Sequence, residues 1–218
     1  MKILALEFSS AQRSVAVLDS AVAHGTAAAE VVEMGGRATK ALGMIEEALR
    51  QARIEREQID CVAVGLGPGS YTGIRAAISL AQGWQLAAEV KLAGVSSAEA
   101  VAAQACDDGL RGRVAVVIDA QRKEFYLADY ELTESGWREV KPLRLAALAE
   151  VQAAAGLGPV VGPEITRWFP GAKAVFPRAA MLALIARSKT GFIRGEELEP
   201  VYLRPTQFVK APPPRIVP

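Results

Sequence analysis

The spacing of hydrophobic positions changes period several times along the first hundred residues. Ile3–Phe8 is a short apolar run with an acid, Glu7, near its end. Ser9–Arg13 is polar, and Ser14–Leu18 alternates back into strand character, so the two runs predict a hairpin. A third strand is predicted over Ala27–Glu33, broken by Gly35-Gly36. Apolar residues then recur at Ala38, Ala41, Leu42, Ile45, Ala48, Leu49 and Ala52, which is helical spacing. Glu46, Glu47, Arg50 and Arg53 supply the wet face of that helix. Cys61–Leu66 reads as a strand and Gly67–Gly73 as a tight turn. A helix from Ile74 to Ala88 carries no charge after Arg75, and a strand over Lys91–Val95 and a helix over Ser96–Ala105 follow.

The second half opens in the same way. Val114–Ile118 is apolar and ends in Asp119, Phe125–Leu132 returns as a strand, and Trp137–Lys141 adds another. Leu143–Ala155 is predicted helical. Gly158–Gly162 and Ala172–Phe176 are short strands, and Arg178–Lys189 is a helix with Met181, Leu182, Ile185 and Ala186 on one face. Ile3–Glu7 with Ala11-Gln12-Arg13 echoes Val114–Asp119 with Ala120-Gln121-Arg122, about half a chain apart. Two readings fit this echo: one duplicated strand–turn–strand unit per lobe, or coincidence, since apolar strands ending in an acid are common. The expectation is an α/β chain with a first lobe over 1–108, a smaller second lobe over 109–204 and a flexible tail over 205–218. The Ala211-Pro-Pro-Pro214 run bars helix or inner strand from that tail.

Composition narrows the function classes. With 51% hydrophobic and 22% charged residues in 218, the chain is not a disordered one. Net charge is +1, so no global charge drives it to nucleic acid or membrane. The halves differ: residues 1–109 hold nine basic and 13 acidic side chains, residues 110–218 hold 16 and 11. Different partners for two lobes, or scatter over a solvated surface, both accommodate this. Cys61 and Cys106 lack CxxC spacing and build neither a disulfide framework nor a closed zinc site. The single histidine, His24, excludes paired-imidazole metal motifs, and no nucleophile motif lies near it. No leader-like start and no apolar run of membrane-spanning length are present, so a cytoplasmic protein away from membranes is expected.

Three places carry candidate chemistry. Glu7 and Asp119, each ending the first strand of its lobe, would face one another across a cleft. Ser9 and Ser10 would offer hydroxyls and N–H groups to a phosphate. The bland alternative is that both acids bind only water. The turn Gly67-Pro68-Gly69-Ser70-Tyr71-Thr72-Gly73 allows positive φ and close backbone approach. In it Ser70 or Thr72 can cap the next helix, whose free N–H groups with Arg75 could take an anion. It is not a P-loop, because no Lys-Ser/Thr follows, and a rigid strand-to-helix turn is the simpler reading. The helix after it has almost no polar face, which demands burial on all sides. One lobe can cover one side; the rest, with Leu42, Ile45, Leu49, Ile74, Ile78 and Ala81, would meet a partner chain or be covered within the lobe.

These segments in this order resemble a known family. ILALEFSSAQRSVAVLD, GLGPGSYTG, IRAAISLAQGWQLA, LAGVSSAEAVA, VIDAQRKEFYLADYE and EPVYLRP are similar to the TsaB (YeaZ) family over about Met1–Arg204. The resemblance implies a two-lobed actin/Hsp70/sugar-kinase fold with duplicated mixed sheets. It also implies assistance in making N6-threonylcarbamoyladenosine at the tRNA adenosine beside the anticodon. In that setting the partners are a metal-bearing catalytic paralogue, TsaD, and an ATPase, TsaE, with tRNA met indirectly, a homodimer when alone, and ATP or ADP as a cofactor of the complex. The paralogue's His-x-x-x-His pair falls on Ser97 and Val101 here, so neither a metal nor catalysis is expected of this chain. The family's partner contact falls on the two first-lobe helices, 38–52 and 73–87.

The chain departs from the family pattern in several places. Glu7-Phe8-Ser9 replaces Asp-Thr-Ser and Asp119-Ala120-Gln121 replaces Asp-Ala-Arg, which weakens phosphate chemistry in both hairpins. Arg37-Ala38 and Gly43 replace His-Ser and Pro, and Leu66 stands where Arg is common. Competing readings are an independent ATP-dependent phosphotransferase or an M22-like metallopeptidase of the same fold. Direct tRNA contact through Arg111, Arg113, Arg122 and Lys123 lacks aromatic interleaving.

Overall fold

The computed structural model describes residues 1–21, 28–35 and 40–204. His24, the start of the expected third strand, Gly36–Thr39 and the tail from Pro205 lie outside the described residues. Two five-stranded mixed sheets form the framework. The first comprises β1 (Lys2–Glu7), β2 (Gln12–Asp19), β3 (Ala29–Met34), β4 (Cys61–Gly65) and β5 (Lys91–Val95), in the order β3-β2-β1-β4-β5. The second comprises β6 (Gly112–Asp119), β7 (Glu124–Thr133), β8 (Gly136–Ala147), β9 (Val160–Gly162) and β10 (Lys173–Ala174), in the order β8-β7-β6-β9-β10. The helices are α1 (Ala41–Ala52), α2 (Tyr71–Ala87), α3 (Ser97–Asp107), α4 (Leu148–Ala155) and α5 (Ala179–Ser188).

The echo in the sequence is a real repeat of connectivity. In each sheet an antiparallel hairpin, with Glu7 opposite Ser14 and Asp119 opposite Phe125, is extended by a parallel neighbour, Ala5 beside Ala63 and Val116 beside Val161. This is the duplicated mixed-sheet arrangement that the resemblance implies.

The apolar runs are continuous because both faces of each central strand are covered. Leu4, Leu6 and Phe8 turn to the α1 and α2 side, where Met44, Ile45, Leu49, Ile74 and Ile78 join them. Ile3 and Ala5 turn the other way, onto Leu182 and Ile185 of α5. Helix α5 belongs to the second half of the sequence yet packs on the first sheet. Conversely α3, from the first half, lays Ala98, Val101, Ala102 and Ala105 on Val114, Val116 and Tyr130 of the second sheet.

The start of α5 is held by the first sheet. The Ser14 hydroxyl, fully buried, accepts the Ala179 N–H at 2.8 Å, and the Glu30 carboxylate accepts the Ala180 N–H and pairs with Arg178. These bonds satisfy donors that a helix start cannot satisfy itself. Ser14→Ala should therefore cost about 1–2 kcal/mol, as losing a buried helix cap does. Urea unfolding checks this, and an unchanged midpoint would contradict it.

Two expected elements differ. The helix placed over Leu143–Ala155 starts only at Leu148, because β8 continues through Ala147 and pairs Ala146 with Phe125 and Leu145 with Tyr126. Ladder pairing with β7 wins over the helical spacing of the alanines, and Glu150 accepts the Ala147 N–H where the helix begins. At the other boundary α2 starts at Tyr71, before the expected Ile74, since the Ser70 hydroxyl accepts the Gly73 N–H. Among the described residues no helix is long and apolar enough to cross a membrane.

Candidate functional site

The Gly67–Gly73 turn is built against the first hairpin. The Ser70 N–H donates to the Ser9 carbonyl at 2.6 Å, and the Gly67 N–H to the Ser97 hydroxyl at 3.1 Å. A Cβ on Gly69 would lie 2.1 Å from the Ser9 carbonyl oxygen, and one on Gly73 2.0 Å from that of Phe8. Glycine is required at both places because backbone fills the space. Pro68 follows a cis peptide bond. Arg75 is engaged by the side chain of the first helical residue: it donates to the Tyr71 hydroxyl at 3.0 Å and lies over that ring. Thr72 is exposed in the first turn. The cap is thus Ser70, and Arg75 does not complete an anion site with the turn.

The expected face-to-face carboxylates need correction. Asp119 does line the cleft between the lobes, a space of about 470 Å³. Glu7 lies beneath its floor, fully buried. Its carboxylate accepts the Ser9 N–H at 2.7 Å and the Ser97 hydroxyl at 2.8 Å. Burial pushes its pKa above the usual carboxylate range, against the downward pull of these hydrogen bonds. The strand position put Glu7 at the right end of β1, but side-chain length and the Ser97 hydroxyl draw it inward. Gly65 makes room for it, since a Cβ there would fall 2.2 Å from Glu7 Oε2.

Ser9 and Ser10 line the cleft but are nearly buried, and the Ser10 hydroxyl donates to the Gln12 carbonyl. The hairpin N–H groups that would hold a phosphate already have carboxylate acceptors. Ser9 N–H meets Glu7, Ala11 N–H meets Glu164 at 2.9 Å, and Gln121 N–H meets Asp119 at 2.7 Å. A phosphate bound at these three N–H groups would have to displace the carboxylates.

Sequence reasoning missed four cleft residues. Glu164 reaches from the second lobe to the first hairpin, and Arg167 pairs with Asp119. Tyr202 and Arg204 belong to a C-terminal strap that crosses the cleft. In it the Val201 N–H donates to the Leu66 carbonyl, and Arg204 grips the Ala120 carbonyl at 3.0 Å and pairs with Glu124. Arg204 thereby secures a turn in which Gln121, Arg122 and Lys123 all have φ between 56° and 64°. The EPVYLRP segment was a visible signal for the strap; nothing marked Glu164 or Arg167.

The helix expected to be buried all round has two distinct faces. Ile74, Ile78 and Ala81 pack inside the first lobe with Ile45 and Leu49, so these five are core residues. Leu42 stands outside, 65% exposed, with Leu86 at 90%. Between α1 and α2 runs a groove of about 440 Å³ lined by Leu42, Ile45, Leu80, Trp84 and Ala87.

Ser97 and Val101, which the resemblance sets against the paralogue's imidazoles, are both fully buried: one bonds Glu7 and the other joins the core. Among the described residues no three His, Cys, Asp or Glu side chains converge on a common point. Burial pushes the Cys61 thiol up to about 11, which leaves it protonated at neutral pH.

A family model described as TsaD, tRNA N6-adenosine threonylcarbamoyltransferase, matches residues 36–193. The tRNA threonylcarbamoyladenosine biosynthesis protein TsaB of Escherichia coli K12 is 31% identical over 185 residues, covering 75% of this chain and 78% of that one. Two solved Pseudomonas aeruginosa structures superpose over 93% of this chain and 99% of theirs. One, an uncharacterized protein described as similar to peptidase YeaZ, is 28% identical with a TM-score of 0.78. The other, YeaZ, is 26% identical with a TM-score of 0.76. Repeated sheets, a glycine turn docked on the first hairpin and a half-exposed helix pair thus accompany sequence likeness over most of the chain, and the chain belongs to the TsaB (YeaZ) family.

Proposed function

We propose that this chain is a non-catalytic subunit of cytoplasmic N6-threonylcarbamoyladenosine formation in tRNA, at the adenosine beside the anticodon. It pairs with a TsaD-type catalytic paralogue, which a TsaE-type ATPase joins. The observation that carries this reading is the apolar groove between α1 and α2, in which Leu42 is exposed and Leu80 and Trp84 are only partly covered by the lobe. The same groove would join two copies when the paralogue is absent. The reading of a non-catalytic subunit is supported by Ser97 and Val101, whose side chains are spent on a buried hydrogen bond and on the core.

Mixing the chain with the paralogue and measuring mass by light scattering tests this. A one-to-one species is expected, and modification of tRNA should need both proteins. Leu42→Glu places a charge in the apolar groove and should weaken pairing at least about tenfold, as loss of a central apolar anchor does. Absence of any mixed species, with modification proceeding equally well without this chain, would end the reading.

A further inference from the structure

The outer face of the second sheet holds a charge cluster that neither the fold nor the cleft uses. Asp129 on β7, its side chain 4% exposed, lies between two guanidiniums: Arg113 of β6 at 3.5 Å and Arg144 of β8 at 3.7 Å, with side chains 34% and 35% exposed. One carboxylate cannot neutralise both. The Arg113 Nε is buried without a hydrogen-bond partner among the described residues, and the buried Arg144 Nη1 faces Asp129 only at 3.7 Å, too long for a hydrogen bond. Two partly exposed guanidiniums that share one carboxylate at such distances leave positive charge unmatched on this face.

Strand register extends the cluster. Glu131 stands between Arg113 and Arg138, and Asp129 is opposite Lys141. Arg138 and Lys141 are exposed on the edge strand. Four cations thus share this region with two carboxylates. Charges on an edge strand deter pairing with other chains, which accounts for Arg138 and Lys141. It does not account for two half-buried guanidiniums crowded on one acid.

We propose that this face binds the phosphodiester backbone of RNA, with one phosphate against the solvent-facing parts of Arg113 and Arg144 and neighbouring phosphates on Arg138 and Lys141. Guanidinium forks match phosphate geometry. The row has no aromatic among the four cations, so it grips backbone and does not read bases. The choice of RNA over an acidic polypeptide rests on the tRNA-modifying reading above.

The test is fluorescence anisotropy of a labelled tRNA transcript with the full chain, from about 50 to 200 mM salt. With three or four phosphates engaged, log affinity should fall against log salt with a slope near −3. R138Q/K141Q should lose about two units of that slope and bind at least about tenfold more weakly at low salt. R113Q/D129N/R144Q removes the cluster without leaving a buried lone carboxylate and should do the same. If that triple variant does not fold by circular dichroism, R138Q/K141Q decides. Wild-type slope and affinity in the folded variants would overturn the proposal. So would displacement of the transcript by polyglutamate as readily as by an unlabelled RNA of equal charge. Light scattering with the paralogue, run on the same samples, separates the two readings: variants that still pair yet bind tRNA like wild type sink this inference alone. A wild type that never pairs sinks the scaffold reading, while its anisotropy still judges the RNA face.

Discussion

Gly73→Ala should lower stability by about 4 kcal/mol, at the upper end of single-substitution effects. The new Cβ would lie 2.0 Å from the Phe8 carbonyl oxygen, which is backbone in a central hairpin and has no free rotamer to adopt. Relief requires α2 to lift from the first sheet, parting Ile74 and Ile78 from Leu6 and Phe8. For a chain of this length the loss corresponds to a fall of roughly 10 °C in melting temperature. Gly83→Ala in the same helix is the control. Nothing lies within 4 Å of its would-be Cβ, and a gain of roughly 0.5–1 kcal/mol is expected there. Thermal melts of both variants decide the matter; equal shifts would mean that helix propensity, not the docking of α2 on the hairpin, governs Gly73.

Glu7 should give the chain an unusual acid-side profile. Its folded pKa is raised above the ordinary glutamate value of 4.5 by burial. Linkage then works in one direction: the native state holds this proton more tightly than the unfolded chain does. The associated stability is fully present below 4.5 and is lost as pH rises through the folded value. Glu7→Gln keeps the shape, can still accept the Ser9 N–H, and has no charge to desolvate. Urea midpoints of wild type and variant, compared from pH 4 to 8, should therefore diverge as pH rises, with the variant gaining relative to wild type. Parallel profiles would show that the carboxyl is not desolvated. Glu7→Ala should behave differently again. It opens a void and strands the Ser9 N–H and Ser97 hydroxyl, at a cost of about 3 kcal/mol at any pH.

The framework was legible because its central strands are apolar on both faces and its turns are marked by glycine. β5 emerged with its observed bounds, and the pairing of Val114–Asp119 with the returning strand from Phe125 matches the first hairpin as the echo implied. Leu143–Ala147 reads as helix because the alanine-rich stretch that follows it outweighs five residues whose strand state comes from pairing with β7. The site was less legible, for a physical reason. Position along a strand reports which end faces the cleft, but not whether a carboxylate finds a closer donor below; Ser97, ninety residues away in sequence, decides that for Glu7. Likewise the apolar pattern of α2 counted Ile74, Ile78 and Ala81 as surplus, whereas they are the covered side. Periodicity finds an apolar helix without telling which stripe of it the lobe consumes. Glu164 and Arg204 reach the cleft from loop and strap, where no period exists to be read.

The exchange of α3 and α5 between the sheets has a mechanical consequence. Their mutual contact is made largely of small side chains, Ala100 and Ala103 with Ala179, Ala183 and Ala186. Such a seam lacks large interlocking knobs, while each helix is clamped to the opposite sheet. A change of cleft width is therefore a shear of one alanine-lined rod along the other, and not a bend at a flexible joint. A bulky residue introduced on that seam would act as a brake on the lobes without touching the cleft at all.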